Sequence, residues 1–468
     1  MRGMRKVYRA YFLKEPPLEK TVESFDGVDV EFALLSGDAV ERICKRLLEL
    51  QKELSARSIR SIVEAIDEVA SVWLGSELLE EASSALESVT GYSKQVIELS
   101  LRNTFERLRF NHIWQMVAEE INDPSVLDGW RELPSGKRVI AIGPRLILHI
   151  LAGNIPSLGI SSVVCALLTK SCSLVKVSSD EPILTPMFVS SLSEVDDLLA
   201  SCCAVVTWRG GDESIESVAF KHADVVVAYG GMETIKSIRN RLPPTKRLIA
   251  HGHKISIGIV DSHCDLKEAS DKLATDVAMF DQQGCMSPHI VFVIGKREDA
   301  EEFVTALSES LDGVSQKLKA GRFVMERAAT IHSYRMVYTM AGEDVIAVNG
   351  SVDWTIILLG QPLHSSLFLN HMMCPPRAVF VRNAENIADL KEELDPFRDF
   401  LSTAGCVVCE RCERELVDML VTVGISRVCE LGRMQLPSSW WHHDGRFNIA
   451  DFLTWAEVEA SFKARRLR

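Results

Sequence analysis

From about Ser36 to Glu120, apolar side chains recur at helical spacing. Val40, Ile43, Leu47 and Leu48 share one face, and Ile59, Ile62, Val63, Ile66 and Val69 repeat the pattern. After Asp128-Gly129-Trp130 the texture changes. Short β-branched or apolar runs at Arg138–Ile142, Leu174–Val177, Ala204–Thr207, Asp224–Ala228, Ile255–Val260 and Ile290–Val293 alternate with helical stretches at Ser161–Leu168, Met187–Leu192 and Thr234–Arg241. Continuous apolar strands separated by helices predict a parallel sheet covered on both faces. A second series runs from about Gly295 to Val428, with a helix at Arg297–Leu311 and strands at Asp353–Leu359 and Arg377–Val381. A strand ending in a polar turn near Val260–Leu266 marks the boundary between the two series. The stretch Trp440–Arg446 reads as a loop before a short closing helix. The expected organisation is a mainly helical part over 1–127, an α/β domain over 128–262, a second over 263–440 and a tail over 441–468.

Composition adds limits. A chain of 468 residues exceeds one ordinary core, and 47% apolar with 25% charged residues is the make-up of a globular protein. The formal net charge of −13 repels polyphosphate, so nucleic acid is not an expected partner. The most apolar window, Leu146–Leu168, is broken by Gly153, Asn154, Pro156 and Gly159. It reads as buried core, and no transmembrane segment is expected. Basic residues between Met1 and Pro17 have no apolar run behind them, so they do not form a secretory signal. Twelve cysteines without such a signal point to reduced thiols in the cytoplasm.

Candidate chemistry sits in four segments. In Phe280-Asp281-Gln282-Gln283-Gly284-Cys285-Met286-Ser287-Pro288-His289, Cys285 directly follows a glycine, and a turn or helix start after it would favour a thiolate. The alternative is a small core cysteine. In Gly153-Asn154-Ile155-Pro156, an amide held between Gly and Pro is a suitable donor to a developing oxyanion, if Asn154 is buried there. Lys176 stands at a strand's carboxyl end, where open α/β sheets bind ligands, and Ser178 and Ser179 follow it. Gly230-Gly231 ends another strand and opens a helix with Glu233 in its first turn, a place where backbone N–H groups can meet a phosphate.

These segments, in this order, resemble the aldehyde dehydrogenase superfamily, and more closely its acyl-CoA reductase (LuxC-type) branch. The resemblance is strongest over Asp128–His289, with Asp281–His289 and Gly252-His253-Lys254 its most specific parts. It implies two Rossmann-like α/β domains, with the active site in the cleft between them and the helical N-terminal part belonging to the cofactor domain. It implies Cys285 as nucleophile and Asn154 as oxyanion donor. Lys176 would contact the adenosine ribose, and Gly230 and Gly231 would face the pyrophosphate. The substrate would be a fatty acyl group on CoA or a carrier, reduced to aldehyde through an acyl-cysteine. A homo-oligomer is expected, with an acyl-protein synthetase as a partner.

Two departures sharpen the expectation. Hydrolytic relatives keep a glutamate four residues before the Lys of their Gly-Gly-Lys segment, and here Ala250 occupies that place, so water attack on the acyl-enzyme should be slow. NAD-preferring relatives keep a glutamate three residues after the cofactor lysine. Here it is Ser179, which favours NADPH, although Asp180 and Glu181 stand beside it. His253 or His251 is the candidate for moving protons.

Competing features are fewer. Cys406, Cys409 and Cys412 have the spacing of one iron–sulfur motif, with Cys374 and Cys429 as distant further ligands. In a strand, however, Cys406 and Cys409 would face apart. His442, His443 and Asp444 suggest a metal but read better as a solvent-facing loop, so no metal is expected. Cys264 and Cys374 are the alternative nucleophiles.

Overall fold

The computed structural model describes residues 5–322, 325–348, 351–362 and 375–462. The chain divides into two compact units, one formed by 1–90, 100–252 and 438–468, the other by 91–99 and 253–437.

In the first unit, the helical spacing becomes the helices Gly37–Ser55, Ile59–Gly75, Leu78–Thr90 and Phe110–Ile121, with Lys94–Arg107 beginning in the other unit. Ser36 and Ser58 start the first two by accepting from the N–H groups of Ala39 and Ser61. Trp73 stacks on Phe105 at 4.5 Å and anchors the helical layer. A small sheet of Lys6–Arg9, Val28–Leu34 and Glu19–Ser24 precedes them.

The parallel sheet of this unit runs in the order Arg247–His251, Val225–Tyr229, Leu146–Ile150, Cys172–Lys176, Cys203–Val206. Chain order therefore reverses direction at Leu146–Ile150, between it and Val225–Tyr229. At such a switch point the connecting helices leave on opposite faces, and a ligand crevice opens beyond the carboxyl ends of the strands.

Three sequence expectations change here. Arg138–Ile142 is a strand but not part of the parallel sheet, because it pairs antiparallel with Thr454–Val458 and Arg131–Glu132. Its place is taken by Leu146–Ile150, buried throughout, whose unbroken apolar run carries no period to separate strand from core helix. After the loop the described chain has only the single helical turn Ala450–Phe452, followed by the strand Thr454–Val458.

The second unit holds a seven-stranded sheet in the order Asp344–Ala347, Thr355–Leu358, Ala378–Ala384, Pro288–Ile294, Ile255–Asp261, Leu401–Val407, Arg427–Glu430. All neighbours are parallel except the first pair. Ile255–Asp261 thus belongs to the second sheet, and the chain passes between units at Gly252, ahead of the Val260–Leu266 turn. Alternate residues feed two cores. Ile257, Ile259, Ile290 and Phe292 pack with Leu416 and Leu420, while Val260, Val291 and Val293 pack with Leu273, Phe303 and Leu307. No helix among the described residues is long and apolar enough to cross a membrane.

Candidate functional site

The second unit presents Cys285 from an unusual turn. The helix Leu266–Ala278 ends at Met279, and the next three residues take left-handed backbone: Phe280 at φ 52°, Asp281 at 47° and Gln282 at 67°. A run of three non-glycine residues in this region costs roughly 1–2 kcal/mol each and must be held by its surroundings. Arg377 does the holding. Fully buried, it donates from Nε to Asp281 Oδ1 at 2.7 Å and from its backbone N–H to the Asp281 carbonyl at 3.0 Å. Its Nη2 donates to the carbonyls of both Leu318 and Lys319 at 2.8 and 2.9 Å. Asp281 Oδ2 accepts from the Gly321 N–H at 3.0 Å. Gln282 donates to the Pro288 carbonyl.

The far side of the turn is fixed too. Ser256 Oγ donates to the Cys285 carbonyl at 2.9 Å, and Gln435 donates to Ser287 Oγ at 2.8 Å. A Cβ on Gly284 would lie 3.0 Å from the Gln435 amide, so the residue before Cys285 has little room for a side chain. Cys285 itself is half-buried.

The electrostatics of this turn include a residue the sequence reading missed. Arg427, half-buried, lies within electrostatic range of Cys285, and its Nη1 sits 3.6 Å from Met286 Sδ. Its guanidinium is fixed by the carbonyls of Met434 at 2.7 Å and Arg433 at 3.0 Å. That turn is in turn held by Asp276, which accepts from the N–H groups of Gly432 at 2.6 Å and Met434 at 3.0 Å. Burial pushes the Asp276 carboxyl up to about 7. A fixed guanidinium within electrostatic range of a thiol favours the thiolate. No sequence signal marks Arg427, which comes 142 positions after Cys285 and closes on it only through the sheet.

His253 and His289 meet edge to face at 6.2 Å. Burial lowers the pKa of both; for His289 it falls to about 4, with the His253 charge adding to the effect. Both rings are therefore neutral near pH 7, and the buried Nε2 of His253 has no hydrogen-bond partner among the described residues. A neutral imidazole with an open nitrogen can take a proton.

In the first unit, the remaining residues gather along the carboxyl edge of the five-stranded sheet. The turn with Asn154 follows Leu146–Ile150, and Gly230-Gly231 follows Val225–Tyr229, so the two flank the switch point. Asn154 is exposed within this edge, contrary to the expectation of a buried amide; its turn packs through Gly153, where a Cβ would clash with Asp180 Cβ at 2.7 Å, and through buried Pro156. Space beside Gly231 is open, with no atom within 4 Å of where its Cβ would be, and Glu233 is exposed in the helix Met232–Arg241. Lys176 is half-buried at the end of Cys172–Lys176, and its ammonium has no ion pair or hydrogen bond among the described residues. Burial lowers its pKa, while Glu216 and Asp180 act the other way. Ser178 Oγ accepts from the Asp180 N–H at 3.2 Å, and Ser179 is exposed. Glu181 turns inward, accepting from Ile183 and Leu184 at 3.0 and 2.8 Å, and burial raises its carboxyl to about 8. Ala250 lies half-buried on Arg247–His251.

The histidine loop is not simply solvent-facing. His443 is half-buried and stacks on His251 at 4.3 Å, which stacks on Tyr229 at 4.7 Å; His251 Nδ1 pairs with Asp444 at 2.9 Å. The donor atoms of His251, His443 and Asp444 fall within 4.8 Å of one another. Imidazole lone pairs lie in the ring plane, however, and planes only 21° apart at this spacing cannot converge on one ion. His442 faces elsewhere, against Phe447. Of the proposed cysteine cluster, Cys406 lies in the strand Leu401–Val407 and Cys374 lies outside the described residues.

Solved structures share this architecture. A benzaldehyde dehydrogenase from Corynebacterium glutamicum superposes at a TM-score of 0.74 with 16% identity over 94% of each chain. An aldehyde dehydrogenase C variant from Pseudomonas syringae, in complex with NAD+ and octanal, superposes at 0.76 with 12% identity over 98% of each. Among curated proteins, the long-chain acyl-protein thioester reductase of Aliivibrio fischeri is 28% identical over 353 residues, covering 74% of this chain and 71% of that protein. The one from Photorhabdus luminescens is 27% identical over 387 residues, covering 80% and 76%. The family described as acyl-CoA reductase (LuxC) matches residues 54–455. The chain therefore belongs to the acyl-CoA reductase (LuxC) family, oxidoreductases of acyl groups, and carries an aldehyde dehydrogenase-like α/β fold.

Proposed function

We propose that this protein reduces a fatty acyl thioester, on CoA or on a carrier protein, to the aldehyde with NADPH, through an acyl group held on Cys285. The observation that carries the reading is the presentation of Cys285 itself. A strained left-handed turn, clamped by a buried Asp281–Arg377 pair, ends in a half-buried thiol within electrostatic range of a fixed guanidinium. Strain of this kind persists where a reacting group must be aimed.

Attack of the Cys285 thiolate on the thioester carbonyl forms the new C–S bond. The Cys285 backbone N–H and the Asn154 amide are assigned as donors to the oxyanion. Its collapse breaks the old C–S bond, and the departing thiolate takes up a proton. A nicotinamide held by Lys176 and the Gly230-Gly231 turn would supply one hydride to the acyl carbon. His253, neutral and open at Nε2, holds the proton that moves between the hemithioacetal oxygen and the solvent as aldehyde leaves and Cys285 is regenerated.

The carboxyl edge of the first sheet fits a dinucleotide. It offers a switch-point crevice, an open glycine turn at a helix start and, at the end of a neighbouring strand, a lysine with no ion pair among the described residues. Lys176, Ser178 and Ser179 would hold the adenosine ribose, while Gly230, Gly231 and the first turn bearing Glu233 would face the pyrophosphate. Ser179 stands where a carboxylate would repel a 2′-phosphate, and Glu181 turns inward away from it, which supports NADPH, while Asp180 remains exposed beside it. Ala250 offers no base to a hydrolytic water, which supports reduction as the fate of the acyl group. A cytoplasmic location, self-assembly and an acyl-protein synthetase as donor partner belong to the same reading.

The test is a product assay with a fatty acyl-CoA and NADPH. One aldehyde per NADPH consumed is expected; free acid with no nicotinamide oxidised would overturn the reading.

A further inference from the structure

The second sheet has its own switch point, and it is not where Cys285 lies. Chain order reverses between Ile255–Asp261 and Leu401–Val407, the helices that follow them cover opposite faces, and the crevice between their carboxyl ends faces away from the nucleophile. Ser256, which holds the Cys285 carbonyl, lies at the start of one of these strands and Asp261 closes it, five positions or roughly 16 Å along the strand.

Three metal-binding groups converge in that crevice. Asp261, Cys409 and Cys412 place donor atoms within 4.8 Å of one another, and the two sulfurs are 3.4 Å apart. Cys409 caps the helix Glu410–Thr422, so Cys412 returns beside it after one turn. Asp261 is only 2% exposed, yet among the described residues no Lys or Arg pairs with it. Its contacts are the His263 N–H at 3.0 Å, the His263 ring at 2.9 Å and the Cys409 N–H at 3.4 Å. The carboxylate is met by backbone N–H groups and by the exposed His263 ring, with no Lys or Arg beside it among the described residues, and two thiols complete its surroundings. Cys264 sits in the turn closed on the Asp261 carbonyl at 2.9 Å, within electrostatic range of both Asp261 and Cys412.

We propose that Asp261, Cys409 and Cys412 form a structural site for a thiophilic divalent cation such as zinc, with Cys264 as fourth ligand after rotation about its Cα–Cβ bond. Thiolate and carboxylate donors in a tetrahedral set suit zinc, and each thiol gives up its proton as the metal binds. The ion would pin the ends of two central strands and take no part in acyl transfer.

The test uses the full-length protein. Elemental analysis should find about one zinc per chain, and cobalt(II) added to the metal-free protein should give thiolate charge-transfer and tetrahedral d–d absorption. Cys285→Ala should keep both signals. A Cys409→Ser/Cys412→Ser double variant should lose both yet still be acylated, and Asp261→Asn should weaken cobalt binding. The proposal is overturned by less than about a tenth of an equivalent of zinc with no cobalt bands. It is equally overturned by bands that survive in the double variant or vanish in Cys285→Ala, or by a Cys409–Cys412 disulfide as the resident state.

Discussion

Arg377 Nε lies 2.7 Å from Asp281 Oδ1, in a pair with neither side chain appreciably exposed, and together with the Arg377 N–H donated to the Asp281 carbonyl it ties the start of the strand Ala378–Ala384 to the turn that carries Cys285. Removing one partner of a buried pair leaves an uncompensated charge, at a cost of about 3–5 kcal/mol. Arg377→Met should therefore lower the unfolding midpoint of the protein and slow alkylation of Cys285 by iodoacetamide under conditions where the variant is still folded. Both effects should be partly undone by adding Asp281→Asn, which removes the orphaned charge. Independent, additive losses in the double variant would show that the two residues do not act as a pair.

Much of this region was legible in the sequence, and the limits have physical causes. Gly284-Cys285 following Gln-Gln could single out Cys285 as a candidate because the motif is local. The partners Arg377, Arg427 and Gln435 were invisible, since sheet register and not spacing brings them to the turn. Leu146–Ile150 gives no strand signal because a fully buried strand shows no alternation, while Arg138–Ile142 reads as part of the parallel sheet when it pairs antiparallel. The spacing of Cys406 and Cys409 suggests one strand, but Leu401–Val407 ends before Cys409, which caps a helix.

Arg427→Met should slow alkylation of Cys285 near neutral pH by about tenfold, the effect of roughly 1.4 kcal/mol of lost thiolate stabilisation. Arg427→Lys, which keeps the charge, should recover part of the rate, and raising the pH should abolish the difference. A deficit independent of pH would assign Arg427 to packing alone.

Ser179→Glu should shift preference from NADPH toward NADH, because the new carboxylate repels a 2′-phosphate and accepts from free ribose hydroxyls. The ratio of kcat/KM for the two nucleotides reads this directly. A wild-type protein that already prefers NADH by a wide margin would contradict the role given to Ser179.

Ala250→Glu should open a hydrolytic exit for the acyl group, since general-base assistance is worth about 10²–10⁴ in rate. The variant should release free acid from acyl-CoA without NADPH and lose aldehyde yield with it. If burial raises the pKa of the new glutamate, hydrolysis should appear as pH rises. Absence of acid at every pH, in a variant still acylated on Cys285, would mean that position 250 does not face the thioester.

The central claim is that the acyl group is carried on Cys285, and intact-mass spectrometry after incubation with a fatty acyl-CoA in the absence of NADPH tests it most directly. Wild-type protein should gain the mass of one acyl group, removable by hydroxylamine and discharged as aldehyde when NADPH is added, while Cys285→Ala should gain none. An acyl group retained by Cys285→Ala, on Cys264, Cys374 or elsewhere, would contradict the account.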